Sequence, residues 1–139
     1  MEDSDALRAT NERFYRALET LDLDAMDQLW VHEPWVRCVH PGWDVLVGWD
    51  LVRQSWKQIF LTTRWMRVTA TGVEVLAFGD VGLVSCSENI TAKNEDDVGL
   101  AVAHATNIYI KSGDGWRLFH HHSSPAPVQV TQPFSGTVQ

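Results

Sequence analysis

Basic residues are scarce in this chain and form no run. Lys and Arg total 11 against 18 Asp and Glu, which gives a formal net charge of −7. Phosphate backbones and anionic lipid surfaces are bound by clustered Lys and Arg, so a nucleic-acid partner and a membrane partner are not expected. The acidic balance mainly indicates solubility.

Cysteines and long apolar runs are scarce too. Cys38 and Cys86 stand far apart, with no C-x-x-C spacing, which argues against a disulfide scaffold or a zinc ribbon. No run approaches the roughly 18 apolar residues that span a membrane. The acidic start of the chain lacks the basic and apolar segments of a secretory signal. We therefore expect a cytoplasmic protein with reduced thiols.

Tryptophan, by contrast, is abundant, with seven in 139 residues. The hydrophobic fraction of 45% suffices for one domain with one core and no structural metal. Each Trp can bury about 150–250 Å², so we expect some of them to line a cavity or an interface. We predict a single domain over residues 1–127 and a polar C-terminal tail over residues 128–139.

The first half of the chain is mostly helical in its periodicity. Ser4 and Asp22 are suited to cap the first and second helices. Pro41 and Gly42 turn the chain after a short strand. The predicted helices cover residues 4–21, a short stretch after 22, and 49 to about 62, and the short strands cover 35–40 and 45–47.

The second half alternates apolar and polar residues and is rich in Val and Thr, as strands are. Helices first and consecutive antiparallel strands afterwards indicate an α+β fold, with a long curved sheet around three helices. The predicted long strands cover residues 65–78, 81–92, 99–111 and 116–124.

The order and spacing of several motifs resemble the nuclear-transport-factor-two-like superfamily. These motifs are FYRAL at 14–18, DLDAM at 22–26, LW at 29–30, HP at 40–41, and Gly48. Within it, the chain resembles the SnoaL-like group, relatives of polyketide cyclases and ketosteroid isomerases, over about residues 5–127. The resemblance implies a cystatin-like α+β cone, a curved antiparallel sheet wrapped around three helices in the N-terminal half. It also implies a pocket at the open end and a homodimer built on the sheet's outer face.

The resemblance to ketosteroid isomerases also assigns positions. Their general base is an acid just before the proline that follows the first strand, and His40 stands there. Their oxyanion-donor tyrosine falls on Phe14, while Tyr15 lies about 100° around the helix and is expected to point elsewhere. Their second donor falls near Thr106 or Asn107. Because two of three parts are changed, steroid isomerisation by that mechanism is not expected.

Three consecutive histidines, His120, His121 and His122, occupy the last predicted strand. Neighbouring strand residues point to opposite faces, so the three cannot all serve one site. His120 and His122 share a face with Trp116 and Leu118, and we assign this more apolar face to the inside. Alternatively, one histidine lies inside and two are structural or at a dimer contact.

The inward pair has two possible uses. His120 and His122 could hold one substrate, or they could form a three-histidine metal site with His40. No carboxylate or spacing motif supports the metal site, so we predict none.

The remaining candidates lie near His40 or on the predicted sheet. Glu88 has apolar face partners, so it is either a buried acid with a raised pKa or an outer-face residue in an ion pair. Asn107 lies beside small residues and is a candidate ligand anchor. Trp43 and Trp56 are predicted to wall an apolar cavity.

We therefore predict a protein that binds a small, largely apolar molecule of unspecified identity. As an enzyme it would isomerise, cyclise or dehydrate by proton transfer without a cofactor, with His40 as base. The alternative is a non-catalytic ligand-binding or association module on the same fold. The catalytic candidates are His40, His122 and Glu88, and the ligand-binding candidates are Trp43, Trp56, Cys38, Asn107 and His120.

Overall fold

The computed structural model of the protein describes residues 2–113 and 115–127. The predicted helices and strands are confirmed, with bounds within two residues of those expected. The predicted tail, residues 128–139, lies outside the described residues. The elements are α1 (Asp3–Glu19), α2 (Leu23–Leu29), β1 (Arg37–Val39), β2 (Leu46–Val47), α3 (Trp49–Thr62), β3 (Trp65–Phe78), β4 (Val81–Lys93), β5 (Val98–Ser112) and β6 (Gly115–Pro125).

The strands form one sheet in the order β2-β1-β6-β5-β4-β3. Neighbouring strands are antiparallel except β1 and β6, which run parallel. The helices cover the inner face of the sheet, with α1 against β3, β4 and β6 and with α3 against β1 and β2. The predicted α+β cone is confirmed, and among the strands of the described residues the β1–β6 pair departs from an antiparallel sheet.

Local chemistry explains two of the three helix starts. The Asp22 side chain accepts a hydrogen bond from the Ala25 N–H at 3.1 Å, so the predicted cap of α2 is confirmed. Gly48 has φ +97°, a conformation that favours glycine, and it releases the chain from β2 into α3. Ser4 lies inside α1, which begins after Glu2 without a side-chain cap, so that predicted cap was wrong. Within residues 2–113 and 115–127, no helix is long and apolar enough to cross a membrane.

The core lies between the helices and the inner sheet face. Trp49 belongs to it as packing, since its ring stacks on His32 at 4.6 Å and lies 5.9 Å from Trp30. The largest fully buried side chains are Trp30, Tyr109, Phe14, Leu7, Met26 and Leu118.

The pairing of β5 with β6 is interrupted by one bulge. Ile108 pairs with His120 and Tyr109 pairs with Leu118, so Phe119 is an extra residue in β6. An extra residue moves every side chain that follows it to the opposite face.

The bulge decides which histidine lies inside. Leu118 is buried before it, and His121 and Ser123 are buried after it. His120 is half-buried and His122 is exposed, both on the outer face. The inward facing that the sequence predicted for His120 and His122 was therefore wrong, because strict alternation does not hold across Phe119.

Candidate functional site

A cavity of about 220 Å³ lies between α1, α3 and the inner sheet face. Its polar lining residues are His40, Glu88 and His121. A small, mostly apolar hollow with a few convergent polar groups is typical of a ligand site. Its apolar lining residues are Leu18, Pro41, Trp43, Trp56, Ile59, Met66, Val68 and Ile90.

His40 follows the end of β1, and only 3% of it is exposed. Its Nε2 lies 2.8 Å from the Ser55 hydroxyl, and that hydroxyl donates its hydrogen to the Val52 carbonyl at 2.6 Å. Ser55 must therefore accept a hydrogen bond from the Nε2–H of His40. The proton of His40 sits on Nε2, and the unprotonated Nδ1 lies 3.9 Å from the Cys38 Sγ.

Aromatic rings enclose His40. The Trp56 and Trp43 ring centroids lie 4.6 and 4.8 Å from that of His40, both edge to face. Burial, with a smaller contribution from His121, lowers the pKa of His40 to about 3. The imidazole is neutral near pH 7, which is the form that accepts a proton.

His121 is the second imidazole of the cavity, and 2% of it is exposed. Its ring lies 5.0 Å from Phe14 and 6.4 Å from His40, measured between centroids. Burial, followed by the neighbouring His120 and His122, lowers the pKa of His121 to about 3. Two neutral imidazoles thus face one small space.

A buried hydrogen-bond network fixes the orientation of His121. Asn107 donates from Nδ2 to Asn11 Oδ1 at 2.9 Å and to the Tyr15 hydroxyl at 3.2 Å, and Tyr109 donates to the same Asn11 oxygen at 2.7 Å. The amide oxygen of Asn107 therefore faces Nδ1 of His121, 2.5 Å away. Since that oxygen can only accept, His121 carries its proton on Nδ1.

Glu88 is buried on the same inner face, which decides the alternative in favour of an inner acid. The Tyr15 hydroxyl donates to Oε2 at 2.6 Å, and the Ser123 hydroxyl donates to Oε1. Burial raises the pKa of Glu88, and these two hydrogen bonds oppose the rise.

The other candidates fall in four places. Trp43 is 45% exposed at the cavity mouth, whereas Trp56 is buried in the wall. Cys38 lies beneath His40, with Sγ 3.6 Å from Nε2, and burial raises the pKa of its thiol. Asn107 is fully buried behind His121, which separates it from the cavity wall.

The three-histidine metal alternative does not form, because His120 and His122 lie on the opposite face of the sheet from His40. Among the described residues, no group of three or more His, Cys, Asp or Glu is arranged to hold a metal ion.

Sequence reasoning missed Tyr15 and Ser123 and misplaced His121. Tyr15 was expected to point away, but it is 5% exposed and joins Glu88 to Asn107. The available signal was the spacing of Asn11 and Tyr15, four residues apart on the buried stripe of α1. Such a stripe spans 100° or more, which is wide enough to hold Phe14 and Tyr15 together.

Comparison with known proteins gives the family. A sequence profile of the SnoaL-like domain matches residues 7–129. The chain belongs to the SnoaL-like domain family. A solved structure of the NTF2-like family from Streptomyces avermitilis, described as a candidate dehydratase, is 33% identical to this SnoaL-like protein. That match covers 91% of this chain and 97% of the other, with a TM-score of 0.86.

Two further relatives are known in other contexts. A Thiobacillus denitrificans structure, described as a candidate association domain of calcium/calmodulin-dependent protein kinase type II, is 29% identical. It covers 86% of this chain and 94% of its own, with a TM-score of 0.72. The F-box protein SKIP8 of Arabidopsis thaliana is 25% identical over 119 residues, which are 86% of this chain. The chain spans about half of that curated relative, 49% of its length.

Proposed function

We propose that this SnoaL-like protein binds a small, largely apolar molecule in the cavity and catalyses a proton transfer on it without a cofactor. The observation that carries the proposal is the pair of buried, neutral imidazoles, His40 and His121, in the wall of one aromatic cavity. A neutral imidazole carries the unshared electron pair that a general base needs, and its lowered pKa makes the imidazolium that forms a strong proton donor.

The hydrogen bonds give the two imidazoles separate lone pairs. His40 donates its Nε2–H to Ser55, which leaves Nδ1 unprotonated, and His121 donates its Nδ1–H to Asn107, which leaves Nε2 unprotonated. Either can take a proton from carbon, and the imidazolium that forms can return it to oxygen. Glu88 lines the same cavity, and its ionised carboxylate would stabilise that positive charge.

Dehydration is the favoured reaction among isomerisation, cyclisation and dehydration, because the Streptomyces relative is described as a candidate dehydratase. The base removes a proton from the carbon next to the one that bears a hydroxyl. The electron pair of that C–H bond forms the double bond, the C–O bond breaks, and the imidazolium protonates the leaving oxygen to give water. This sequence needs no external oxidant or reductant.

The experiment has two stages. Native mass spectrometry of freshly purified protein identifies a captured molecule. That molecule is then incubated in D₂O with the wild type and with His40→Asn. We expect deuterium at a carbon atom, or loss of water, with the wild type and at least a 100-fold slower reaction with the variant. If the captured molecule neither takes up deuterium nor loses water in the presence of the wild type, the protein is a binding module instead.

Self-association is a second candidate function, because the outer sheet surface carries exposed apolar side chains such as Leu76, Leu100 and Val102. The Thiobacillus relative is described as an association domain, which supports the same idea.

Light scattering after size exclusion should give a dimer mass for the wild type and a monomer for Leu100→Glu. Leu61→Glu, at an exposed site on α3, is the matched control. A monomeric wild type would exclude this function.

We also propose a cytoplasmic location. Cys38 and Cys86 are both free and buried, as expected of a protein from a reducing compartment. Cell fractionation with an antibody against the chain would test it, and recovery outside the cytoplasmic fraction would contradict it.

A further inference from the structure

The charge of the cavity wall limits what it can hold. Of the described residues that line it, Glu88 is the one carboxylate and none is Lys or Arg. Both histidines of the wall are neutral near pH 7. An anionic ligand would therefore be buried beside a carboxyl group with no opposite charge to meet it, which is costly.

The hydrogen-bond network determines what His121 offers to a ligand. Nδ1 is turned back toward Asn107 on β5, so Nε2 is the ring nitrogen that His121 has left for a ligand in the cavity it lines. Because the proton is on Nδ1, Nε2 is an acceptor that awaits a donor. Asn107 is itself held by Asn11 and Tyr15, so its amide cannot turn over without breaking two hydrogen bonds.

We propose that Asn107 is a positioning residue that holds His121 in the Nδ1–H tautomer, and that the cavity thereby selects an uncharged, single-ring molecule that bears a hydroxyl group. The inference rests on the proposed function only in taking this cavity as the ligand site. The inference requires that a ligand binds, and it does not depend on whether that ligand is turned over.

Size and hydrogen bonding support this ligand class. An engineered apolar cavity of about 150 Å³ binds benzene, so 220 Å³ accommodates one ring with a short substituent. A hydroxyl can donate to Nε2 of His121, whereas a carboxylate has no proton to donate. The aromatic walls, Trp56 and Trp43, match a flat ring.

Asn107→Asp is the decisive variant, because it changes an amide to a carboxylate of the same shape. A carboxylate opposite Nδ1 favours the imidazolium, so Nε2 would become a donor. The cavity should then accept anions and lose its preference for alcohols. Thr106→Asp is the matched control, since it adds the same charge at the neighbouring position on the outer face of β5.

The test combines two measurements on the full chain. Long-range ¹H–¹⁵N correlation spectra, assigned with His121→Phe, report the tautomer of His121. Titrations give dissociation constants for benzyl alcohol and for benzoate as probes. We expect Nδ1–H in the wild type and in Thr106→Asp, with benzyl alcohol bound at least tenfold more tightly than benzoate. In Asn107→Asp we expect an imidazolium spectrum and loss of the tenfold preference.

Three results would overturn the inference: a wild-type His121 protonated on Nε2, wild-type affinities for the two probes that are equal or undetectable, or an Asn107→Asp variant that keeps the preference. If that variant does not fold, the wild-type spectrum and affinities decide. Equal wild-type affinities for the two probes, together with deuterium exchange in the captured molecule, would contradict this inference and still support the proposed catalysis. A wild-type preference for benzyl alcohol without deuterium exchange would support this inference and contradict the proposed catalysis.

Discussion

The two faces of β6 carry the same side chain in different surroundings. His121 is buried, packs against Phe14 and donates to Asn107, while His120 and His122 lie on the outer face with ring centroids 6.4 Å apart. The bulge at Phe119, which precedes all three histidines, sets which of them faces inward. One extra residue in a strand therefore selects which histidine becomes a buried neutral imidazole.

The largest expected difference between the faces is in turnover. His121→Phe keeps an aromatic ring of similar size but removes both nitrogens, so the rate with the captured molecule should fall about 10²- to 10⁴-fold. His122→Phe should stay within about twofold, because His122 lies on the opposite face. Values of kcat/KM for both variants test this. Equal losses would abolish the distinction between the faces.

Stability should show the next largest difference, on the adjacent strand. Asn107→Leu leaves the His121 Nδ1–H without an acceptor in the core, so the free energy of unfolding should fall by about 2–4 kcal/mol. Thr106→Leu, one residue away on the outer face, should change it by less than about 0.5 kcal/mol. Urea unfolding measures both, and a tolerated Asn107→Leu would mean that the network contributes little.

Acid should destabilise the fold through the inner histidines. Their pKa is about 3 in the folded state, below that of an unfolded histidine, so the unfolded chain binds more protons as the pH falls. Stability should therefore decline from about pH 6.5 toward pH 3, by up to about 1.4 kcal/mol per pH unit for each histidine. Glu88, whose pKa is raised, acts in the opposite sense in the acidic part of this range.

Urea unfolding of the wild type and His121→Phe at several pH values checks this prediction. The variant should show the shallower decline, because one proton-binding difference is removed. Parallel curves would show that His121 titrates alike in the folded and unfolded chains.

Deletion of Phe119 should have the smallest effect. It restores regular pairing of β6 with β5 and leaves His121 facing inward, since Leu118 and His121 would then be two positions apart. The expected cost is about 1–2 kcal/mol, from lost packing of a half-buried Phe against Trp35. Urea unfolding and the ring spectrum of His121 report both quantities. A solvent-exposed His121 would show that the bulge is assigned to the wrong residue.

Much of the fold could be predicted from the sequence, because helical and strand periodicities are strong and because Pro41 and Gly48 mark where elements end. β3 and α3 have the predicted bounds. The placement of His40 in the cavity wall follows the position that the family resemblance gave it. Its catalytic role stays a prediction.

The inner side of the site was less accessible to sequence reasoning. The bulge residue is Phe119, and nothing in its side chain distinguishes it from a regular strand residue. The Asn11, Tyr15 and Asn107 network joins residues more than ninety positions apart, so its contacts depend on how α1 crosses the sheet. Local spacing carries no information about that crossing.

The most direct test of the central claim, two buried neutral imidazoles in one cavity, is an NMR pH titration of the His40 and His121 rings in the folded protein. We predict that both rings keep neutral chemical shifts from pH 8 down to pH 5. A midpoint near pH 6.5 for either ring would contradict it, because that ring would then behave as a solvated histidine.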